Sequence, residues 1–409
     1  MPSVCFYFQV HQPLRIKKFR IFDVGHDHQY FNDVSETDLN NRKMLEKVSG
    51  KSYLPANDLI YRLLKKYKDL KFAFSFSGVL LEQLEDGFPK VLNSFRKLID
   101  TGRVEVLSET YYHSLAFFYS LSEFESQVRL HEEKVKKIFG VRPKVFRNTE
   151  LAYSNDLALW AEDKGYKAIL AEGWESFLGW KSPNFIYRPK GCKKIGLILK
   201  NYRLSDDIAF RFSDKSWVSW PLTAEKYASW INSINGNGQL VSLFMDYETF
   251  GEHQWEDKGI FNFLNKLPGE ILKNPDNDFI TPSEAVKRYA PMVEIDVPRV
   301  VTWADSERDL SAWNGNSIQT SAIKFIYKLE NDVLTTKDPR IISDWRKLQT
   351  SDHFYYMCTK WFSDGDVHKY FNPYESPYEA FISYMNAAND LKIRVRGIKT
   401  GKNKLKRYS

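Results

Sequence analysis

Four apolar runs in this chain end in residues that can do chemistry. Val4–Val10 contains Gln9 and leads into His11 and Gln12, and Val104–Leu107 leads into Ser108, Glu109, Thr110 and His113. Val145–Phe146 leads into Arg147, Asn148, Thr149 and Glu150, and Leu240–Met245 leads into Asp246 and Glu248, with Glu252 and His253 just beyond. Two carboxyl groups about 5–5.5 Å apart can open a glycosidic bond with retention of configuration. One attacks the anomeric carbon; the other protonates the leaving oxygen and later takes a proton from water. Carboxylates at that spacing raise each other's cost of ionisation, which helps keep the acid protonated near neutral pH. Glu109, Glu150, Asp246, Glu248 and Glu252 are the carboxylates at the ends of these runs; a pairing of Glu150 with Asp246 is chemically apt, but position alone does not single it out. On pattern alone, Glu150 equally suits a carboxylate at a helix start and Asp246 a helix cap. Glu248 suits a rim ion pair, and His11 a partner for a buried backbone group.

The elements that position these residues follow from periodicity. Val4–Val10, Phe72–Phe76, Val104–Leu107, Val145–Phe146, Ala168–Leu170 and Leu240–Met245 read as buried strands. Helical patterns stand between them: Leu59–Leu70, stretches up to about Asp100, a helix to Phe139 and Ser154–Lys164. Ser122, with Glu125 three residues on, reads as the capping box of the third. Strands alternating with helices imply parallel βαβ units, and this many units suggest an α/β barrel. Reactive residues then gather at the C-terminal ends of the strands, where the polar residues above already lie. Residues 177–220 break the rhythm and suit a hairpin or inserted loops. Beyond Thr281 the strand signal fades, and Ser317–Leu334, Ile341–Phe362 and Pro377–Leu391 read as helices. The expected organisation is a catalytic domain over 1–290, a helical domain over 291–391 and a basic tail over 392–409.

Composition narrows the function classes. A hydrophobic share of 43% with 27% charged residues is the balance of a globular protein with a sizeable core. The aromatic share of 15% suits core packing and stacking on sugar rings alike. Trp174, Trp180, Trp217, Trp220 and Trp255 are candidates for either role. The net charge of +7 suggests nucleic acid until it is located: eight Lys/Arg and no acid lie between Lys392 and Ser409. The rest of the chain is nearly neutral, so the basic stretch reads as a solvated terminus and no nucleic-acid partner is expected. Cys5, Cys192 and Cys358 form no CxxC pair and indicate neither a disulfide framework nor a zinc site. With no apolar run near 18 residues and no leader pattern, no membrane is expected and the chain reads as cytoplasmic. Asp23, His26 and His28 are types that ligate metals, but no distal fourth ligand is identifiable, so substrate or water is the better reading of that loop.

Five segments then occur in order: HQP at 11–13, GRVEVLSETYYHSL at 102–115, FRNTEL at 146–151, LFMDYETFGEH at 243–253 and WADSERDLSAWNG at 303–315. Together they resemble the five characteristic regions of glycoside hydrolase family 57, its α-amylase branch in particular. The resemblance implies an incomplete (β/α)7 barrel followed by a C-terminal helical bundle that completes the active-site cleft. It implies a retaining mechanism on α-glucans with no cofactor and no metal. The family's nucleophile falls on Glu150 and its acid/base on Asp246. Sugar contacts fall on His11, His113, Glu248, His253, Asp309 and Trp313. Gln9 stands where the glucanotransferases and branching enzymes commonly have a first histidine, and His113 where they have Glu, which favours the amylase. The expected activity is cleavage of α-1,4 bonds in starch, glycogen or maltodextrin. A 4-α-glucanotransferase, a non-catalytic glucan-binding protein and a metal-dependent carbohydrate deacetylase using Asp23, His26 and His28 are the alternatives.

Overall fold

The computed structural model describes residues 2–360 and 367–398, and the backbone alone over 399–405. The first long run, Ser3–Val10 (β1), is buried at all eight positions. It is the central strand of a parallel sheet, pairing with Phe72–Phe76 (β2) on one side, in the register Tyr7↔Ala73 and Val10↔Phe76. Val104–Val106 (β3) adds to β2, again parallel. Val145–Phe146 (β4) and Ala168–Glu172 (β5) begin a second sheet, in which Gly196–Lys200 (β7) lies parallel to β5. Leu240–Asp246 (β8) pairs with β1 from Ser3↔Leu240 to Gln9↔Asp246. Hydrogen bonds link the two sheets: Ser108 N to Val145 O and Arg147 N to Ser108 O, both 2.9 Å, and Asn201 N to Ser242 O at 2.8 Å. The expected break in rhythm is a real excursion. Ile186–Pro189 (β6) runs antiparallel to β7 and takes the two-residue Glu294–Ile295 (β9) on its other edge. This is an α/β fold with a parallel sheet and helices.

Tyr7, Ala73, Val145, Leu170, Ile198 and Phe244, from both sheets, share a largely aliphatic core, while other side chains of β1 and β2 pack into an aromatic one. Phe6 and Phe8 pack against Phe72, and Phe8 also meets Phe74, Tyr247 and Phe250 at ring distances of 5.4–5.5 Å. Each such ring removed from water contributes about 1.5–3 kcal/mol. Gly173, just after β5, lies tightly against the end of β7, since a Cβ there would lie 2.2 Å from the Lys200 carbonyl oxygen.

The chain divides into two compact units. The first comprises residues 1–11, 46–110 and 128–303 and holds every strand among the described residues; the second comprises 12–45, 111–127 and 304–409. In the second unit Ser317–Lys328, Glu330–Thr336, Pro339–Lys347, Ser351–Tyr355 and Pro377–Leu405 are helical. Buried Trp345 anchors one of these helices to another, its Nε1–H donating to Ile326 O at 2.8 Å, and Tyr384 Oη–H donates to Leu348 O at 2.8 Å. Arg346 clasps the buried Glu123 carboxylate through Nε and Nη2 at 2.9 and 3.0 Å.

Three local expectations change. Ser120, not Ser122, caps the helix Leu121–Phe139: its Oγ accepts from Glu123 N at 3.3 Å, and Ser122 lies inside the first turn. The helix expected over Ile341–Phe362 is broken at Leu348–Thr350, where Thr350 Oγ1 donates to Tyr112 O and Ser351 N donates to His113 O. Phe362 lies outside the described residues, as do residues 406–409 of the basic tail. The last helix does not stop at Leu391 but runs to Leu405, carrying much of the basic stretch with it. All three cysteines are free and buried, and no described helix is long and apolar enough to cross a membrane.

In the second unit Asp305 meets His368 Nε2 at 2.8 Å, with Cys358 Sγ 3.9 Å from the same nitrogen and the Tyr355 ring stacked on the imidazole. Lys360 also approaches Asp305, at 3.4 Å. Burial pushes the His368 imidazole down, but Asp305 and Cys358 outweigh it and hold the group at about 9. A histidine raised from its ordinary value near 6.5 adds stability that is complete below that value and lost as pH rises through about 9. The rise corresponds to about 3 kcal/mol. In urea unfolding, the stability of wild type relative to His368→Asn is therefore expected to fall by roughly that amount between about pH 6 and about pH 10.

Candidate active site

The strand ends of the first unit carry a layer of buried charge. Glu109, after β3, and Arg147, after β4, are both fully buried, with Arg147 Nη1 4.0 Å from Glu109 Oε2. Glu172 ends β5 and Lys200 ends β7; the ammonium lies 3.4 Å from Glu172 Oε2 and 3.0 Å from Asp206 Oδ1. Charges taken from water at this depth persist only when paired. Gln9 ties three strands together. Its Nε2 donates to Glu109 Oε1 at 3.1 Å, while its Oε1 accepts from Tyr7 Oη at 3.0 Å and from Ser75 Oγ at 3.1 Å.

Glu150 and Asp246 differ from their neighbours in one respect. In residues 145–151, Glu150 alone is partly open to solvent; in 240–250, Asp246 alone is. Asp246 is the last residue of β8, opposite Gln9, and Glu150 follows β4 by about four residues. Glu150 lies in a short turn, Thr149–Leu151, with φ of 59° at Glu150 and 49° at Leu151. Two consecutive non-glycine residues in the left-handed region cost about 1–3 kcal/mol each and persist only where the surroundings impose them. Trp303 supplies part of that constraint: its Nε1–H donates to Glu150 Oε2 at 2.9 Å.

The other expected site residues divide between the units. In the first, His11 Nδ1 lies 2.6 Å from Ser77 Oγ, after β2. Glu248 is buried, accepts a hydrogen bond from Tyr53 Oη, and takes His253 N on its backbone oxygen at 3.0 Å. Burial pushes the His253 imidazole down to about 4, so it is neutral at ordinary pH and can exchange hydrogen bonds with hydroxyls without carrying charge. In the second unit, His113 is buried with φ of 49°; Asp309 is exposed, its Oδ1 accepting from Ser311 N at 2.8 Å. Trp313 is buried, its ring tilted against Tyr355 at 6.0 Å.

Asp23, His26 and His28 do not converge as metal ligands among the described residues. Asp23 Oδ2 accepts from Arg20 N at 2.7 Å, while His28 Nδ1 lies 2.8 Å from Asp390 Oδ2. Gly25 N and Tyr30 Oη also donate to the fully buried Asp390, so this loop is pinned to the C-terminal helix of its own unit. Of the Trp candidates, Trp180, Trp220 and Trp255 are exposed, with Lys181 Nζ 5.2 Å from the Trp180 ring and Lys51 Nζ 5.5 Å from the Trp255 ring. A cleft of about 330 Å³ opens beside Gly173, lined by Glu175, Asn184, Asn201, Tyr202 and Arg203.

Trp303, Glu172 and Lys200 were not singled out from the sequence. Glu172 and Lys200 obey the same rule as Asp246, a charged residue closing an apolar strand, and that rule would have found them. Trp303 opens the fifth segment, yet its partner lies 153 residues away and no local pattern links them.

The chain matches glycosyl hydrolase family 57 over residues 5–298. It is 43% identical over 405 residues to a Methanocaldococcus jannaschii protein named "Putative alpha-amylase", covering 96% of this chain and 85% of that one. It is 21% identical to the alpha-amylase of Pyrococcus abyssi and 20% identical to the 4-alpha-glucanotransferase of Thermococcus litoralis, covering 70% and 66% of this chain. It spans only 42% and 40% of those longer proteins. Among solved structures, the GH57-type branching enzyme of Pyrococcus horikoshii shares the fold with a TM-score of 0.70 at 16% identity, over 90% of this chain and 87% of that one. The T. litoralis glucanotransferase does so with a TM-score of 0.63 at 17% identity, over 86% and 56%. With a family match across most of its length and one relative similar nearly end to end, the chain belongs to glycosyl hydrolase family 57 and is a glycoside hydrolase.

Proposed function

We propose that the chain hydrolyses α-1,4-glucosidic bonds of starch, glycogen or maltodextrin by double displacement, with Glu150 as nucleophile and Asp246 as general acid/base. The observation that carries this reading is the selective opening of these two carboxylates in strand-end segments that are otherwise buried. The names of the M. jannaschii and P. abyssi relatives support the substrate class. The proposed scaffold is the incomplete (β/α)7 barrel, with a helical bundle supplied by the C-terminal region. The hydrogen bonds joining the strand ends of the two sheets, and β6 leaving the parallel order, favour it. The free, buried cysteines accord with a cytoplasmic location.

In the first step a Glu150 carboxylate oxygen attacks the anomeric carbon from the face opposite the leaving group. The bond to the departing sugar breaks as Asp246 delivers its proton to that oxygen. In the second step Asp246 takes a proton from water, whose oxygen attacks the same carbon and releases Glu150. Two inversions leave the product in the α configuration. His11, Glu248 and His253 are proposed as sugar contacts, suited to pyranose hydroxyls by their strand-end positions. The chemistry needs no metal or cofactor.

Product analysis tests the reading. Maltoheptaose and soluble starch, followed by NMR, are expected to give short maltooligosaccharides with the α anomer formed first, in the presence or absence of a chelator. Products longer than the substrate would move the assignment to a glucanotransferase. First-formed β anomer, or activity abolished by chelation, would overturn the double displacement.

A further inference from the structure

The turn that carries Glu150 is held by a strap from the other end of the first unit. Tyr153 N donates to Val301 O at 2.8 Å, Val301 N to Tyr153 O at 3.0 Å, and Trp303 N to Glu150 O at 3.3 Å. Trp303 thus grips residue 150 twice, through its backbone and through the indole N–H on Oε2. The indole ring is gripped in turn. The Arg147 guanidinium carbon lies 5.0 Å from the ring centroid, and Lys200 Nζ lies 5.7 Å from it.

Arg147 is the unusual member. It is fully buried, and its Nε, Nη1 and Nη2 have no hydrogen-bond partner among the described residues. A buried guanidinium ordinarily satisfies its fixed fork of donors, and leaving all of them unmet is costly. What meets this charge instead is Glu109 at 4.0 Å and the face of Trp303. An indole ring is the strongest aromatic partner for a cation, and the attraction grows as water is excluded.

We infer that Arg147 and Trp303 are positioning residues for the nucleophile, an inference that rests on Glu150 having that role. The cations fix the plane of the indole, and the indole fixes Oε2. A fixed Oε2 sets the rotation of the carboxylate and hence the direction of its second oxygen. The left-handed backbone at Glu150 and Leu151 is the conformation the same strap holds in place. Phenylalanine at 303 would keep a ring against the cations but lose the N–H; lysine at 147 would keep the cation.

The experiment compares kcat and KM on maltoheptaose for full-length wild type, Trp303→Phe, Arg147→Lys and Arg147→Met, with azide rescue of Glu150→Ala as an independent check on the nucleophile. Trp303→Phe is expected to lower kcat about 10- to 100-fold, the range for losing a hydrogen bond to a charged group, with KM within about twofold. Arg147→Met is expected to lose kcat similarly and Arg147→Lys to recover most of it. If Arg147→Met does not fold, Trp303→Phe and Arg147→Lys still decide. The inference is overturned if Trp303→Phe keeps wild-type kcat, or if its loss appears in KM instead, while Glu150→Ala is inactive and rescued by azide. If Glu150→Ala stays active, the nucleophile assignment has failed and the positioning inference falls with it.

Discussion

Glu150→Gln is expected to lower kcat on α-1,4-glucans by on the order of 10⁴-fold or more while leaving binding of the glucan intact. The substitution keeps the size and shape of the side chain and the amide oxygen that can accept the Trp303 N–H. What it removes is the negative charge that attacks the anomeric carbon and the carboxylate that later departs from it. Because Glu150 is only partly exposed and sits in a turn held by backbone hydrogen bonds, the change should cost little stability. Kinetics on maltoheptaose, beside isothermal titration with the same sugar, separates the two effects. A variant that neither turns over nor binds would mean that the turn has collapsed. One with near-normal kcat would remove Glu150 from the chemistry.

The second large effect is expected at Asp246. Asp246→Asn should lower kcat on starch by about 10²–10⁴-fold, the usual contribution of a positioned proton donor and acceptor. Its signature is dependence on the leaving group. A maltosyl fluoride needs little protonation to depart, so its first step should be affected far less than that of a natural glucan. Equal losses on both substrates would mean that Asp246 does something other than transfer a proton. The side chain closes β8, opposite a Gln9 engaged with Tyr7, Ser75 and Glu109, so its position is set by the sheet and not by a loop.

Much of the scaffold was legible because strands and their punctuation are local. Ser3–Val10, Phe72–Phe76 and Leu240–Asp246 are apolar runs bounded by polar residues, and each forms where its composition places it. The irregular stretch after residue 177 signalled the β6 excursion for the same reason. What was not legible depends on partners far along the chain. The helix expected over Ile341–Phe362 breaks where Thr350 and Ser351 bond the 112–113 backbone. The Asp23–His28 loop looks like a ligand set until Asp390, from the far end of the chain, is seen to take Gly25, His28 and Tyr30.

The candidate site was readable to the same depth. Glu150 and Asp246 were two of several carboxylates following apolar runs, and it was the resemblance of the five ordered segments to a family pattern that singled them out. The left-handed turn at Glu150 carries no sequence signal, because the Asn148-Thr149-Glu150 stretch is compatible with an ordinary helix start. Nor does any local pattern announce that Arg147 is buried under Trp303. That arrangement arises only when the strap at 301–303 folds back over the end of β4.

The most direct test of the account is to trap the covalent intermediate. Incubation with a fluorine-substituted maltosyl fluoride, which slows release of the sugar more than its capture, is followed by digestion and mass spectrometry of the peptides. The account predicts one added glycosyl group per chain, on the peptide containing Glu150, and no label on Glu150→Gln. A label on any other carboxylate, or none while the enzyme turns over maltoheptaose, would contradict it.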